Sequence, residues 1–408
     1  MGWWKEINQT QRNALIGGLG GWMLDAADVM LYVMALTAIM SDLHLDTATA
    51  GLLASVMLFS SAFGGIAFGV VADRYGRKFA LICAVSIYTV FTALSGTATN
   101  ATELAIYRTL LGLGMGGTWA SGALLVAETW PDKHRGKASG FMQGGWAIGY
   151  MLAAALAGII LPVYGWRVLF FIGVIPSILM LLFIIFKVKE PQMWLDSRAK
   201  IKPSPLAAFR TLFRTPLLKI VVITSIFTSF VQLGYWGLFT WLPGFMSTPV
   251  ELGGAGMDIV KTSGWVIMMQ VGALFGYSSF GFVADKFGRK KAFALYLLAA
   301  ALVVVVYGNI RSPLALLIFG PLVGFFGSGF FSGFGVFLAE LFPTSVRGTA
   351  QGLVYNFGRG VSAFAPVIIG ALAQVYGIGS SLMLTAVFFV CGASMLFFLP
   401  ETAGKKLE

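Results

Sequence analysis

Asp25 and Asp28 stand three residues apart in an apolar stretch, a spacing that puts two carboxylates on one face of a helix, about one turn apart. Acids that share a poorly solvated place repel, and desolvation disfavours their charge, so either one could bind and release a proton near neutral pH. The spacing leaves open which of the two does so. It equally admits a fixed ion pair, for example with Arg108, in which neither acid titrates. Arg359, within Tyr355-Asn356-Phe357-Gly358-Arg359-Gly360, also lies deep in an apolar run. A guanidinium stays charged and its fork fits a carboxylate with two hydrogen bonds, so an Arg facing a cavity there selects an anion. Asn356, three residues earlier, can face the same side and bond a hydroxyl or carbonyl. The alternative for Arg359 is an ion pair with one of the aspartates.

Charges in such surroundings are scarce in this chain. Of its 408 residues, 58% are hydrophobic and only 11% are charged, with a mean hydropathy of +0.83. That composition leaves room for about twelve membrane spans of about 20 residues each, and it excludes a soluble enzyme, a DNA-binding protein and a disordered chain. A charge near the bilayer centre costs about 2.5–3.5 kcal/mol on insertion scales, so Asp25, Asp28, Arg108 and Arg359 stand out as functional candidates. Cys83 and Cys391 each lie inside an apolar run, so neither a disulfide framework nor a metal cluster is expected. His44 and His134 fall between spans. No phosphate-binding loop or zinc-binding helix motif occurs, and no cofactor, metal or nucleic-acid partner is expected.

Apolar runs bounded by polar punctuation predict an all-α membrane protein with spans at 13–40, 50–72, 79–98, 103–128, 138–161, 167–186, 218–245, 261–284, 292–308, 313–340, 348–373 and 380–399. The run after Lys5 and Arg12 continues past Tyr32 without a cleavage site and reads as an uncleaved first helix. With the loops assigned alternately, Arg167, Lys261 and Arg311 alone fall on one side. Apart from Arg108 and Arg359, which lie within spans, all the other Lys and Arg of the 28 share the side of both termini. The positive-inside rule makes that side the cytoplasm, so the net charge of +11 is a topology signal.

The run from Gly69 to Lys78, Gly-Val-Val-Ala-Asp-Arg-Tyr-Gly-Arg-Lys, recurs from Gly281 to Lys290 as Gly-Phe-Val-Ala-Asp-Lys-Phe-Gly-Arg-Lys, an offset of 212. Glu128, Pro131, Arg135 and Gly136 recur at the same offset as Glu340, Pro343, Arg347 and Gly348. Two motifs at one offset predict two six-helix halves in parallel repeat, 1–186 and 218–408, joined by a cytoplasmic linker over 187–217. Under that offset Asp25 and Asp28 map to Gly237 and Thr240, and Arg359 maps to Ala147. The deep acids therefore belong to the first half and the deep Arg of span eleven to the second.

The duplicated G-x-x-x-D-[RK]-x-G-R-K loop, with Arg108-x-x-x-Gly112-x-Gly114-x-Gly116 in span four, resembles the major facilitator superfamily over essentially the whole chain. The resemblance implies a twelve-helix secondary transporter working by alternating access, with Arg108 at a position associated with proton coupling. Asp25-Ala26-Ala27-Asp28, the run from Val126 to Lys137, and Trp146-Ala147-Ile148-Gly149-Tyr150 are similar to the branch of proton symporters for organic acids. That branch includes sialic-acid, aromatic-acid and lactate or pyruvate carriers. This chain departs from it at Thr118, where relatives often carry an acid before the tryptophan Trp119, so the role of that acid does not transfer.

The expected partners are then a small organic anion, with a monocarboxylate such as lactate or pyruvate favoured, a proton and the lipid bilayer. The chain is expected to be a monomer in a bacterial cytoplasmic membrane. Candidate substrate contacts are Arg359, Asn356, Tyr355, Tyr32, Gln143, Gln270 and Trp119, against the alternative that such aromatics only pack. A proton-coupled drug antiporter or a neutral-solute carrier is the competing reading, and a buried Arg facing substrate speaks against a cation exporter. The repeated loops read as a conformational latch made by Gly69, Asp73, Arg74, Gly76, Arg77, Glu128 and Arg135 in one half, and by Asp285, Gly288, Arg289, Glu340 and Arg347 in the other.

Overall fold

The computed structural model describes residues 6–197, 212–213, 217–343 and 346–403, without the side chains of 132–137, 139 and 348. Lys5, most of the expected 187–217 linker and the side chain of Arg135 thus lie outside the described residues. The apolar runs of the first half become α1 (Gln9–Asp42), α2 (Thr47–Tyr75), α3 (Arg77–Ser95), α4 (Ala101–Thr129) and α5 (Asp132–Lys187), followed by the short α6 (Gln192–Ser197). Those of the second half become α7 (Leu217–Ser247), α8 (Ile259–Phe287), α9 (Arg289–Asn309), α10 (Pro313–Gly329), α11 (Phe331–Leu341), α12 (Arg347–Ser362), α13 (Phe364–Tyr376) and α14 (Ile378–Met395). Among the described residues there is no strand.

Eleven helical stretches among the described residues are long and apolar enough to cross a membrane, with α10 joined to α11 and α12 to α13. One of them, α5, runs for 56 residues, more than twice what a bilayer needs. At Gly165 the backbone leaves the helix at φ 75 and ψ 179, a region that suits a residue without Cβ, and Pro162 just before it has no N–H to donate. The break divides α5 into two arms that match the expected spans 138–161 and 167–186, which brings the spans to twelve. Ile159, Val163, Phe282 and Leu302 are exposed. In water such surfaces would aggregate; in a bilayer they meet acyl chains, and the chain is an integral membrane protein.

By its contacts the chain forms two compact units, Met1–Ile39 with Ser60–Ile201, and Met40–Phe59 with Lys202–Glu408. The division runs through α2, whose first turns belong to the second unit. There the Thr47 hydroxyl donates to the Gly370 carbonyl at 2.7 Å, and a Cβ on Gly51 would sit 2.4 Å from the Pro366 carbonyl oxygen. Within the first unit α4 is packed on both sides through its glycines. A Cβ at Gly116 would lie 2.0 Å from the Ser61 carbonyl of α2, and one at Gly114 would lie 2.7 Å from the Ala84 carbonyl of α3. Close approach of three backbones is what small residues allow in a lipid-facing bundle, where apolar burial gives little drive for association. It also carries Arg108, two turns earlier on α4, into the interior.

Candidate functional site

In the first unit Asp25, Asp28 and Tyr32 occupy one face of α1 and are at most 1% exposed. Arg108 of α4 is wholly buried, and its guanidinium carbon lies 4.3 Å from the centre of the Tyr32 ring. That cation–π contact tethers a charge that the apolar surroundings would otherwise expel. Asp28 faces Asp25, Arg108 and Thr92, the last on α3. Tyr88, one turn before Thr92, faces both aspartates and stands beside Ser177 on the second arm of α5. The cluster therefore holds two acids and one guanidinium, ringed by phenols and hydroxyls. Farther along α4 the Trp119 indole N–H donates to Gln143 Oε1 at 3.0 Å, so these two candidates are partners of each other.

In the second unit Arg359 lies on α12 and is 2% exposed. Its Nε has no hydrogen-bond partner, and among the described residues of this unit no carboxylate forms an ion pair with it. The Arg359 charge acts on the neighbouring phenol of Tyr355, whose ring centre is 6.3 Å from that of Phe334. Gln232 of α7 donates to the Tyr355 carbonyl at 3.0 Å while its Oε1 stays unbonded. Asn356 Nδ2 donates back to the Gly352 carbonyl at 3.0 Å, which leaves its Oδ1 turned to other uses. Gln270 of α8 is buried with Nε2 unbonded. Among the described contacts none joins Gln270 to Arg359.

The repeated loop motifs form the same arrangement in each unit. Arg77 donates from Nη1 to Asp73 at 2.8 Å and to the Ala72 carbonyl at 2.6 Å, and it forks Glu128 from Nε at 2.9 Å and Nη2 at 2.7 Å. Arg289 donates to Asp285 at 2.5 Å and forks Glu340 at 3.3 and 3.1 Å. Gly76 and Gly288 have φ of 115 and 96, a conformation that favours glycine and turns the chain into α3 and α9. A Cβ on Gly69 would meet nothing within 4 Å, and Arg74 lies exposed over Tyr75. Arg347 also reaches back to the chain just before it. Its Nε donates to the Ala339 and Phe342 carbonyls, closing the end of α11.

Sequence reasoning passed over two sets of residues. Glu190 accepts the N–H groups of Arg77, Lys78 and Phe79 at the start of α3, and Glu401 accepts those of Arg289 and Lys290 at the start of α9. A glutamate beside a proline closing each half, Glu190-Pro191 and Pro400-Glu401, was the available signal. Burial opposes the charge of Glu401, but the N–H groups of Ala403, Arg289, Lys290 and Thr402 outweigh it and hold the carboxyl below the usual carboxylate range. Tyr88 and Thr92 were the second set, and their four-residue spacing on one face of α3 was the signal for them.

The chain is thus a membrane protein of two helical units, each of which buries charged and polar side chains. The sequence profile of the Major Facilitator Superfamily matches residues 18–277 and 256–408, and the chain belongs to that superfamily. A sialic acid transporter of Escherichia coli strain K12, NanX, is 34% identical over 391 residues, covering 95% of this chain and 93% of its own. A cis,cis-muconate transport protein of Acinetobacter baylyi is 32% identical over 392 residues, covering 93% and 92%. The crystal structure of a D-xylose-proton symporter matches the fold with a TM-score of 0.80 at 21% identity, over 98% of this chain and 100% of that one.

Proposed function

We propose that the chain is a proton-coupled symporter of a small organic anion, with the anion's carboxylate on Arg359 and Asn356 and the proton on Asp25 or Asp28. The observation that carries this reading is Arg359, a buried guanidinium with an unbonded Nε and no acidic partner among the described residues of its unit. Leaving such a charge unanswered is costly, and a carboxylate fitted to its fork answers it. Tyr355, whose phenol feels the Arg359 charge, and the Oδ1 of Asn356, three residues before it on α12, are the neutral polar groups offered beside it. The two relatives transport, by their names, sialic acid and cis,cis-muconate, and both compounds carry a carboxylate.

The complementary charges lie in the first unit, where Arg108 gives Asp28 a cation to lean on when it is not protonated. Alternating access with a single proton moving through that cluster is the mechanism this division of charge supports. The excess of basic residues on the side of the termini supports a cytoplasmic placement for both ends in a bacterial inner membrane, and each unit is complete within one chain, in keeping with a monomer.

The test is uptake by purified protein in liposomes under an imposed inward proton gradient, with lactate, pyruvate, benzoate and sialic acid set against a neutral sugar and a cationic dye. Uptake of one acid that collapses with the gradient supports the reading and names the acid. If only the dye moves, against the proton flow, the chain is an antiporter and Arg359 needs another role.

A further inference from the structure

Gln232 of α7 reaches α12 at the residues just before Arg359. Its Nε2 donates to the Tyr355 carbonyl at 3.0 Å, and in an α-helix that carbonyl also accepts the N–H of residue 359. Gly358 makes the approach possible: a Cβ there would lie 2.9 Å from Gln232 Nε2 and 2.7 Å from the Thr228 methyl. A carbonyl can only accept, so the nitrogen of the amide must face it, and Oε1 is left as an acceptor. Gln232 is buried, and Oε1 has no hydrogen-bond partner. The hydroxyls one turn earlier are spent on their own helix, Thr228 on the Thr224 carbonyl and Ser229 on the Ser225 carbonyl, each at 2.7 Å. Thr262, Ser263 and Gln270 of α8 also hold unbonded buried atoms, but no described contact brings them to Arg359.

Arg359 Nε and Gln232 Oε1 are thus a buried donor and a buried acceptor, both unbonded and about one turn apart along α12. Two such groups that do not bond each other are costly unless a third joins them. A plain carboxylate answers only the guanidinium, since it has no hydrogen to give. We infer that Gln232 is a specificity residue of the Arg359 site and that the transported anion is a 2-hydroxy acid, its carboxylate on the Arg359 fork and its hydroxyl donating to Gln232 Oε1. The inference rests on the anion-binding reading above. In a 2-hydroxy acid the hydroxyl stands on the carbon next to the carboxylate, which suits two protein groups so close along one helix. A 2-oxo acid sets an acceptor against an acceptor, and an acid without the hydroxyl leaves Oε1 unpaired.

Purified protein in liposomes is assayed for competition by lactate, pyruvate and propionate, which differ only at the second carbon, against uptake of the acid identified above. Mandelate, phenylglyoxylate and phenylacetate repeat the series on a larger frame. The wild type is expected to respond to lactate or mandelate at about ten-fold lower concentration than to the oxo and unsubstituted acids, the scale of one hydrogen bond whose loss leaves a buried acceptor unpaired. Gln232→Met, of similar length without the amide, is expected to weaken the hydroxy acid about ten-fold while propionate or phenylacetate competes as before. A purely structural role, holding α12 through the Tyr355 carbonyl, weakens every acid alike, and that result overturns the inference. Gln232→Asn, which withdraws the amide by one methylene, replaces Gln232→Met if that variant takes up no acid. Equal competition, or none, within both series by the wild type, or a preference that survives in the variants, overturns the inference while the anion reading stands. A wild type that takes up no carboxylic acid overturns both.

Discussion

Glu190 accepts the backbone N–H of Arg77 at 2.9 Å, and Glu401 accepts that of Arg289 at the same distance. Each carboxylate thus sits on the exposed N–H groups of the helix that follows the repeated loop, where the helix dipole favours negative charge. The Arg side chains meanwhile reach outward to Glu128 and Glu340. One residue thereby joins three chain segments in each unit: the loop through its backbone, α4 or α11 through its fork, and the end of the unit through the capping glutamate. The second unit adds one contact, from the Thr402 hydroxyl to Glu340 at 2.6 Å.

Glu401→Gln keeps the shape of the cap and loses its charge. Because the carboxyl is held below its usual range, its contribution to stability is complete above the unfolded value near 4.3 and fades as pH falls through the folded value. Thermal unfolding in detergent is expected to show the variant less stable at pH 7, by about 0.3–1 kcal/mol. The difference should shrink toward zero as the buffer is taken below about pH 4. A gap that stays constant across that range would show that the charge contributes nothing.

Arg359→Gln is expected to weaken binding of the transported acid by about 30-fold or more, the cost of removing one partner from a buried charge pair. Arg359→Lys keeps the charge but not the fork and should recover only part of that loss. Binding measured by calorimetry on purified protein decides it: wild-type affinity in Arg359→Gln removes the anion site from α12.

Asp28→Asn and Asp25→Asn separate coupling from carriage. Each variant is tested for gradient-driven uptake and for exchange, and the variant of the proton carrier is expected to lose the response of uptake to pH while exchange persists. If both respond to pH as the wild type does, neither acid couples transport.

Gly116→Ala and Gly69→Ala form a contrast in packing. A Cβ at Gly116 meets a carbonyl oxygen of the α2 backbone at 2.0 Å, which cannot move aside cheaply, whereas at Gly69 it meets nothing within 4 Å. The first variant is expected to lose about 1–3 kcal/mol of stability and the second almost none. Melting of the two purified proteins in one detergent reads the difference directly, and equal melting temperatures would contradict the close approach of α4 to α2.

The spans were legible because hydrophobic run length is a local property and the bilayer imposes one scale on all of them. The break in α5 was legible as well, since Gly165 falls between the expected spans 138–161 and 167–186 and Arg167 follows it closely. The repeat was legible because Asp73, Arg77 and Glu128 recur with their spacing intact. The caps were harder to see, since Glu190 and Glu401 are 113 and 112 residues from the groups they bind, and no local pattern encodes a contact of that length.

By itself, then, the sequence determined the membrane-spanning class, the two-fold repeat and the four charges that a bilayer tolerates only for a reason, because each follows from composition or short spacing. The tertiary structure alone decided which groups meet those charges. Thr92 and Tyr88 face Asp28, and Tyr32 lies under Arg108, because the glycines of α4 let α2 and α3 close around it. A hydroxyl in an apolar helix looks the same in sequence whether it bonds its own backbone or faces an acid on a neighbouring helix, and only the packing of the helices distinguishes the two.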